Sequence, residues 1–283
     1  MGDFQGKVAV VTGGASGIGR AMAERFAEEG MRIVIADIEQ SALERAESEM
    51  VADGAEVLAL RCDVSKAHDV KMLAEETIKA FDSVHVLCNN AGVGIAGRTW
   101  EIPLEDWEWV LGVNLWGVIH GLHYFVPLML EHGQDAHIVN TASMAGLTSG
   151  RQMSPYYVSK HGVVTLSECA HHEFEEAGAK IGVSVLCPGW VSTNFTESDR
   201  NRPAGRVVTD ELESSTQSFR ERFDRLLQEE GLAPREVAEM VFRAIEEKTF
   251  YVLPHAHWKN MIHSRMENIL EQRDPSIVMP SEM

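Results

Sequence analysis

Short apolar, β-branched runs alternate with longer stretches of helical period along the chain. Lys7–Thr12, Arg32–Asp37, Glu56–Cys62, Val84–Cys88, Ala136–Thr141 and Ile181–Cys187 read as strands, with Phe250–Leu253 as a seventh. Between them, Gly17–Glu29, Ser41–Val51, Val64–Phe81, Leu104–Glu131, Pro155–Glu176 and Pro234–Glu247 carry apolar residues at helical spacing. Several strand runs are continuously apolar, as strands buried on both faces are. Such alternation predicts an α/β fold: a doubly wound parallel sheet of about seven strands with helices on both faces and right-handed crossovers. No repeat, low-complexity tract or linker divides residues 1–283, so we expect a single domain.

One region breaks the rhythm. Residues 192–231 turn polar, most of all at Asn201-Arg202-Pro203-Ala204-Gly205. A long insertion after a strand's carboxyl end sits where open α/β sheets bind ligands, so this segment reads as a substrate loop or lid. The alternative is a plain surface loop. Within it, Phe219, Phe223, Leu226 and Leu227 would share one helix face. That face has three candidate partners: a substrate pocket, a second subunit, or the Trp258–Leu270 part of the tail at residues 254–283.

Charge narrows the function classes. Lys and Arg number 25 against 43 Asp and Glu, a net charge of −18. That field repels nucleic-acid phosphates and anionic lipids, so no nucleic-acid or membrane partner is expected. Cys62, Cys88, Cys169 and Cys187 are scattered, without disulfide-scaffold density or metal-ligand spacing. Cys169, His171 and His172 lie close together but on one helical stretch, and no metal is expected there. Met1–Gly6 lacks a signal-peptide pattern, and Gly6 breaks the myristoylation motif that Gly2 invites. No apolar stretch approaches the roughly 20 residues of a membrane span. A soluble, cytoplasmic protein is the expectation.

The chemistry begins at the first strand-to-helix turn, Thr12-Gly13-Gly14-Ala15-Ser16-Gly17-Ile18-Gly19. Glycines let the backbone turn sharply and let a pyrophosphate approach the helix N-terminus, where free N–H groups and the dipole favour an anion. The spacing of Gly13, Gly17 and Gly19 is G-x-x-x-G-x-G, not the standard dinucleotide G-x-G-x-x-G. Asp37 closes the second strand, about 20 residues downstream, where an acidic side chain binds the adenosine ribose hydroxyls and repels the 2′-phosphate of NADP. It therefore points to NAD; the competing role is to cap the next helix. Tyr156 and Lys160 are four apart on a helix and share a face. A free tyrosine has a pKa near 10, and a neighbouring ammonium favours the phenolate, bringing it toward the range useful for acid–base work. Ser143 follows the fifth strand, where its hydroxyl can donate to a carbonyl oxygen. Asn114 sits mid-helix, an unfavourable place for asparagine.

In chain order, the Thr12–Gly19 loop, Asn89-Asn90-Ala91-Gly92, Asn114, Ser143, Tyr156 with Lys160, and Pro188-Gly189 resemble the short-chain dehydrogenase/reductase family over about Gly6–Thr193. The resemblance implies a Rossmann-type fold, an NAD cofactor and hydride exchange with an alcohol or ketone. It implies catalytic roles for Asn114, Ser143, Tyr156 and Lys160, with Asn114 bending its helix and holding a water that relays protons to the lysine. Cofactor contacts would come from Gly13, Ser16, Gly17, Ile18, Gly19, Asp37, Tyr156 and Lys160. Asp63 and Val64 would hold the adenine, and Asn89, Asn90 and Gly92 would lie beside the adenosine. Pro188, Gly189, Val191 and Thr193 would cover the nicotinamide. A homodimer or homotetramer is implied by the pairing of helices matching Leu104–Glu131 and Pro155–Glu176, which carry Trp107, Trp109, Leu111, Leu122, Tyr124, Phe125, Leu128 and Leu130.

Other readings remain beside this one. An NADP-dependent carbonyl or 3-oxoacyl reductase would be expected to carry a basic residue at the glycine loop or after the second strand. An enoyl reductase spaces its tyrosine and lysine more widely. A non-catalytic cofactor sensor would bind NADH without turnover. Val93-Gly94-Ile95, Met144, Met153, Trp190 and Phe195 would surround an apolar small-molecule substrate.

Overall fold

The structure, a computed structural model, describes residues 3–203 and 210–278. Ala204 and Gly205, part of the polar stretch singled out above, lie outside the described residues. Seven strands form one sheet: β1 (Val8–Thr12), β2 (Arg32–Asp37), β3 (Val57–Arg61), β4 (Val86–Asn89), β5 (Ala136–Thr141), β6 (Ile181–Leu186) and β7 (Tyr251–Val252). Their order is β3-β2-β1-β4-β5-β6-β7, and every pairing is parallel. The chain builds outward from β1 to β3, then crosses back to β4 and builds the other way. That reversal opens a crevice at the carboxyl ends of β1 and β4, where doubly wound sheets bind ligands.

The described helices are α1 (Gly17–Glu28), α2 (Gln40–Ala52), α3 (Ala67–Phe81), α4 (Leu104–Leu111), α5 (Gly117–His132), α6 (Ser154–Glu176), α7 (Asp210–Glu229), α8 (Pro234–Glu247) and α9 (Lys259–Leu270). Although Val8–Val11 of β1 are all apolar, they still divide by parity. Ala9 and Val11 pack with Met22 and Phe26 of α1 and Val241 and Phe242 of α8. Val8 and Val10 pack on the other face with Leu73 of α3 and Phe125 and Met129 of α5. A third cluster seats α6 beneath the site, with Val163 and Val164 against Val185 and Ala142.

The expected helix over Leu104–Glu131 is not one regular helix. A π-helical turn at Gly112–Trp116 separates α4 from α5. The combined run Leu104–His132 spans 29 residues and is, by length and composition, apolar enough to cross a bilayer. This corrects the expectation that no segment approaches that limit. About a third (33%) of its most apolar window is buried in the fold, where Val118, Phe125 and Met129 pack on the sheet side.

Candidate active site

β1 feeds directly into the glycine loop. Gly13 and Gly17 adopt φ of 63° and 54°, a left-handed conformation that side-chain-bearing residues rarely take. Ser16, the N-cap of α1, makes no side-chain capping bond, so the first-turn N–H groups stay available to an anion in the crevice. Gly19 plays a different part from the one expected. It does not line the crevice; a Cβ there would lie 2.1 Å from the Gly13 carbonyl oxygen, so Gly19 seats α1 against the loop.

The loop is tied to the neighbouring strands by a hydroxyl and an amide. Thr12 Oγ1 accepts from Asn90 N at 2.9 Å and Ala91 N at 3.2 Å. Asn90 Nδ2 donates back to Thr12 O at 3.1 Å, and Thr141 Oγ1 donates to Asn90 Oδ1 at 3.2 Å. Asn90 thus joins the ends of β1, β4 and β5 while lining the crevice. At the end of β2, Asp37 Oδ2 accepts from Ala15 N and Oδ1 from Glu39 N, both at 3.1 Å. The N-cap of α2 is Glu39, so Asp37 is not the helix cap that competed with the ribose role. Burial pushes the Asp37 carboxyl up, against the pull of these backbone N–H groups. Asp63 Oδ1 accepts from Ser65 N and Oγ at 3.0 and 2.7 Å, turning the chain after β3.

At the other end, Tyr156 and Lys160 share one face of α6. Lys160 Nζ lies 5.6 Å from the centre of the Tyr156 ring and donates to Thr141 O at 2.7 Å. The Tyr156 ring meets Phe195 edge-on, 5.3 Å between centroids. Burial dominates both groups. The phenol is pushed up to about 12, with a Ser143 hydrogen bond acting in the opposite sense. The ammonium is pulled down to about 8. The expectation that Lys160 would lower the tyrosine is therefore not met by this geometry, because desolvation dominates. Ser143 Oγ accepts from Ala145 N at 3.1 Å and donates to Pro188 O at a long 3.3 Å, a weak bond that a carbonyl oxygen can replace.

Asn114 stands behind this wall and does not line the crevice. Its Oδ1 accepts from Val93 N at 2.8 Å, and its Nδ2 donates to Val93 O at 2.9 Å and Ser159 Oγ at 3.1 Å. The π-helical turn is centred on it, so the expected bend is present and the side chain serves to join the α4–α5 junction to the loop after β4 and to α6.

One crevice of about 1200 Å³ gathers Gly13, Ser16, Gly17, Ile18, Asp37, Asp63, Val64, Asn90 and Gly92 with Ser143, Tyr156, Lys160, Pro188, Gly189, Val191 and Thr193, whereas Asn89, expected beside the adenosine, is buried with its Nδ2 donating to Asn140 Oδ1 at 2.9 Å. The donor set suits a dinucleotide: an uncapped helix N-terminus between a strand-end carboxylate and an acid–base pair. Val93, Met144, Met153, Trp190 and Phe195 line it as expected, whereas Gly94 instead packs on Phe195 and Ile95 is buried elsewhere.

Sequence reasoning named Trp258–Leu270 only as a candidate partner of the α7 face and missed that the tail lines the crevice. Trp258, Met261, Ile277 and Val278 line the crevice, and Trp258 meets Trp190 edge-on with 4.9 Å between centroids. Also missed was a strap over the cleft: Arg200 Nε and Asn201 Nδ2 donate to Glu39 Oε1 at 2.9 and 2.8 Å. Of the His/Cys cluster considered for a metal, Cys169 plays no part. His171, His172 and Glu175 bring ligand atoms within 4.8 Å of one another on the open side of α6.

Residues 7–204, well over half the chain, match the family described as short chain dehydrogenase. The chain is 33% identical over 279 residues, 98% of both chains, to a CLA biosynthesis dehydrogenase/reductase of Lactiplantibacillus plantarum. It is 36% identical over 211 residues, 72% of this chain and 83% of the other, to a cyclohexanol dehydrogenase of Acinetobacter sp. strain SE19. A crystal structure of a short chain dehydrogenase/reductase from Burkholderia phymatum in complex with NAD superposes with a TM-score of 0.94, at 42% identity and 99% coverage of both chains.

Proposed function

This chain belongs to the short-chain dehydrogenase family, and from that premise we propose that it is an NAD(H)-dependent oxidoreductase interconverting a secondary alcohol and a ketone of an apolar small molecule. The observation that carries the proposal is the single crevice that joins the Gly13–Gly17 loop and Asp37 to Ser143, Tyr156 and Lys160. The NAD in the Burkholderia phymatum structure and the cyclohexanol dehydrogenase among the relatives support it.

When bound, the nicotinamide supplies the hydride. In reduction, the Tyr156 hydroxyl gives its proton to the substrate oxygen as the carbonyl carbon is reduced; in oxidation the phenolate takes the proton back. Ser143 releases the Pro188 carbonyl and donates to the same oxygen, stabilising charge that develops there. Lys160, held by Thr141 O, keeps its ammonium on the Tyr156 side of the pocket, where it can hold the cofactor beside the phenol. Asn114 is a positioning residue: it fixes Val93 and Ser159 on either side of the catalytic pair. Asp37 favours NAD over NADP, since a 2′-phosphate would meet a desolvated carboxylate. The test is kcat/KM with both cofactors across a panel of secondary alcohols. NAD should be preferred, and Asp37→Ala should narrow the gap by about tenfold or more, as expected for removing an unpaired like-charge clash; a wild-type preference for NADP contradicts the assignment.

A further inference from the structure

Besides the residues discussed above, the crevice is lined by the 148–153 loop, one face of α7 and the C-terminal tail. On α7, Phe219, Arg222, Phe223 and Leu226 follow helical spacing and all four line the crevice, so Arg222 shares the apolar face. The neighbouring arginines point elsewhere: Arg220 pairs with Asp199, and Arg225 does not line the crevice. Arg151 comes from the loop, which is pinned beside it by a bond from Gly97 N to Gln152 O of 2.9 Å.

Arg151 and Arg222 have no hydrogen bond or ion pair among the described residues, whereas the third arginine lining the crevice, Arg200, is held by Glu39 at 2.8 Å. Among the described residues, the acidic ones lining the crevice are Asp37, Glu39, Asp63 and Glu108, and none of these belongs to the loop, the α7 face or the tail. A chain of net charge −18 thus places two exposed guanidiniums, unpaired among the described residues, beside apolar side chains that line its crevice.

We propose that the substrate is an amphipathic carboxylate: an apolar body against Phe219, Phe223, Leu226 and Trp258, with its carboxylate held by Arg151 and Arg222 at the end away from the reacting carbon. Guanidinium groups bind carboxylates through paired N–H donors. They also offset locally the field that otherwise repels an anion. The inference rests on the reading of the crevice as a cofactor-plus-substrate cleft, and it deepens that reading by naming the substrate's second functional group.

Binding separates the two ideas, because it needs no turnover. Decanoate and methyl decanoate, titrated calorimetrically into the full chain with and without NADH, share the acyl chain and differ at the carboxyl end by the charge and one methyl group. Decanoate binds about tenfold or more tightly than the ester, the scale of one charge-assisted contact. The Arg151→Ala/Arg222→Ala double variant brings the two within about twofold, Arg225→Ala keeps the preference, and Arg151→Lys/Arg222→Lys restores part of it. Both arginines are exposed, and a thermal melt matching wild type verifies that the double variant is folded. Equal or tighter binding of the ester, a preference that survives the double substitution, or no decanoate binding at millimolar concentration overturns the proposal. Absence of NAD reduction with every secondary alcohol would instead strike the oxidoreductase reading and leave a decanoate preference standing.

Discussion

Burial acts on the two central side chains in opposite senses, holding Tyr156 protonated up to about 12 and easing Lys160 down to about 8. At neutral pH the phenol therefore carries the proton that ketone reduction consumes, while alcohol oxidation draws on the small phenolate fraction. That fraction grows with pH as long as pH stays below the phenol's pKa. Ketone reduction should be flat from pH 6 to 8, and alcohol oxidation should rise by up to about tenfold per pH unit over the same range; initial rates in both directions check this, and an oxidation profile that falls with pH contradicts it. Asp37 and the Tyr156–Lys160 pair were legible in the sequence because each depends on local geometry, a strand end or one helical turn. The hydrogen-bond partners of Ser143 and Asn114 were not, because Pro188 O and Ser159 Oγ are each 45 residues away. Gly19 looked like a phosphate contact for the same reason: spacing shows that a glycine is needed, and only the approach of Gly13 O shows why.

Among the elements, the 3₁₀ turn Phe195–Asn201 carries the insertion across the cleft. Arg200 and Asn201 grip Glu39, two positions beyond Asp37, and Arg202 pairs with the buried Asp106 of α4. The amphipathic face foreseen at Phe219, Phe223, Leu226 and Leu227 meets the crevice, with Phe219 stacked on Phe223 at 5.9 Å and Phe223 against Phe195 at 6.5 Å. Periodicity revealed that face, but not that the tail would share the same wall, since contacts between distant segments leave no period. We propose that the described parts of this insertion, residues 192–203 and 210–231, act as a lid tied down at Glu39 through Arg200 and Asn201. Arg200→Ala should speed NADH release severalfold, consistent with on the order of 1 kcal/mol for a surface ion pair, and should raise hydrogen exchange over 192–203. Stopped-flow release and exchange kinetics measure both; exchange in this segment that NADH leaves unchanged in the wild type contradicts a lid.

For the whole molecule, the seven-stranded parallel sheet follows from the alternation of buried runs and helical segments. The π-helical break at Gly112–Trp116 does not follow from periodicity; only Asn114 at its centre signalled it. The aromatic and aliphatic residues of the 104–132 run divide between two faces. Trp109 and Phe125 are buried, whereas Leu104, Trp116 and Leu130 are exposed, as is Val158 on α6. We propose that this second face meets a second copy of the chain about a two-fold axis, the commonest closed arrangement. Light scattering at micromolar concentration should give a multiple of 31.4 kDa, and Trp116→Glu should lower it; a wild-type mass equal to one chain contradicts the assembly.

The central claim is that Tyr156 moves the proton while the crevice holds the cofactor independently of it. Steady-state turnover of Tyr156→Phe, measured beside NADH affinity and with Tyr157→Phe as the control, tests both halves in one comparison. The account predicts that Tyr156→Phe loses about 10²-fold or more in kcat, the scale of a lost acid–base group, binds NADH within a few-fold of wild type, and that Tyr157→Phe retains turnover. Turnover of Tyr156→Phe within a few-fold of wild type would contradict it.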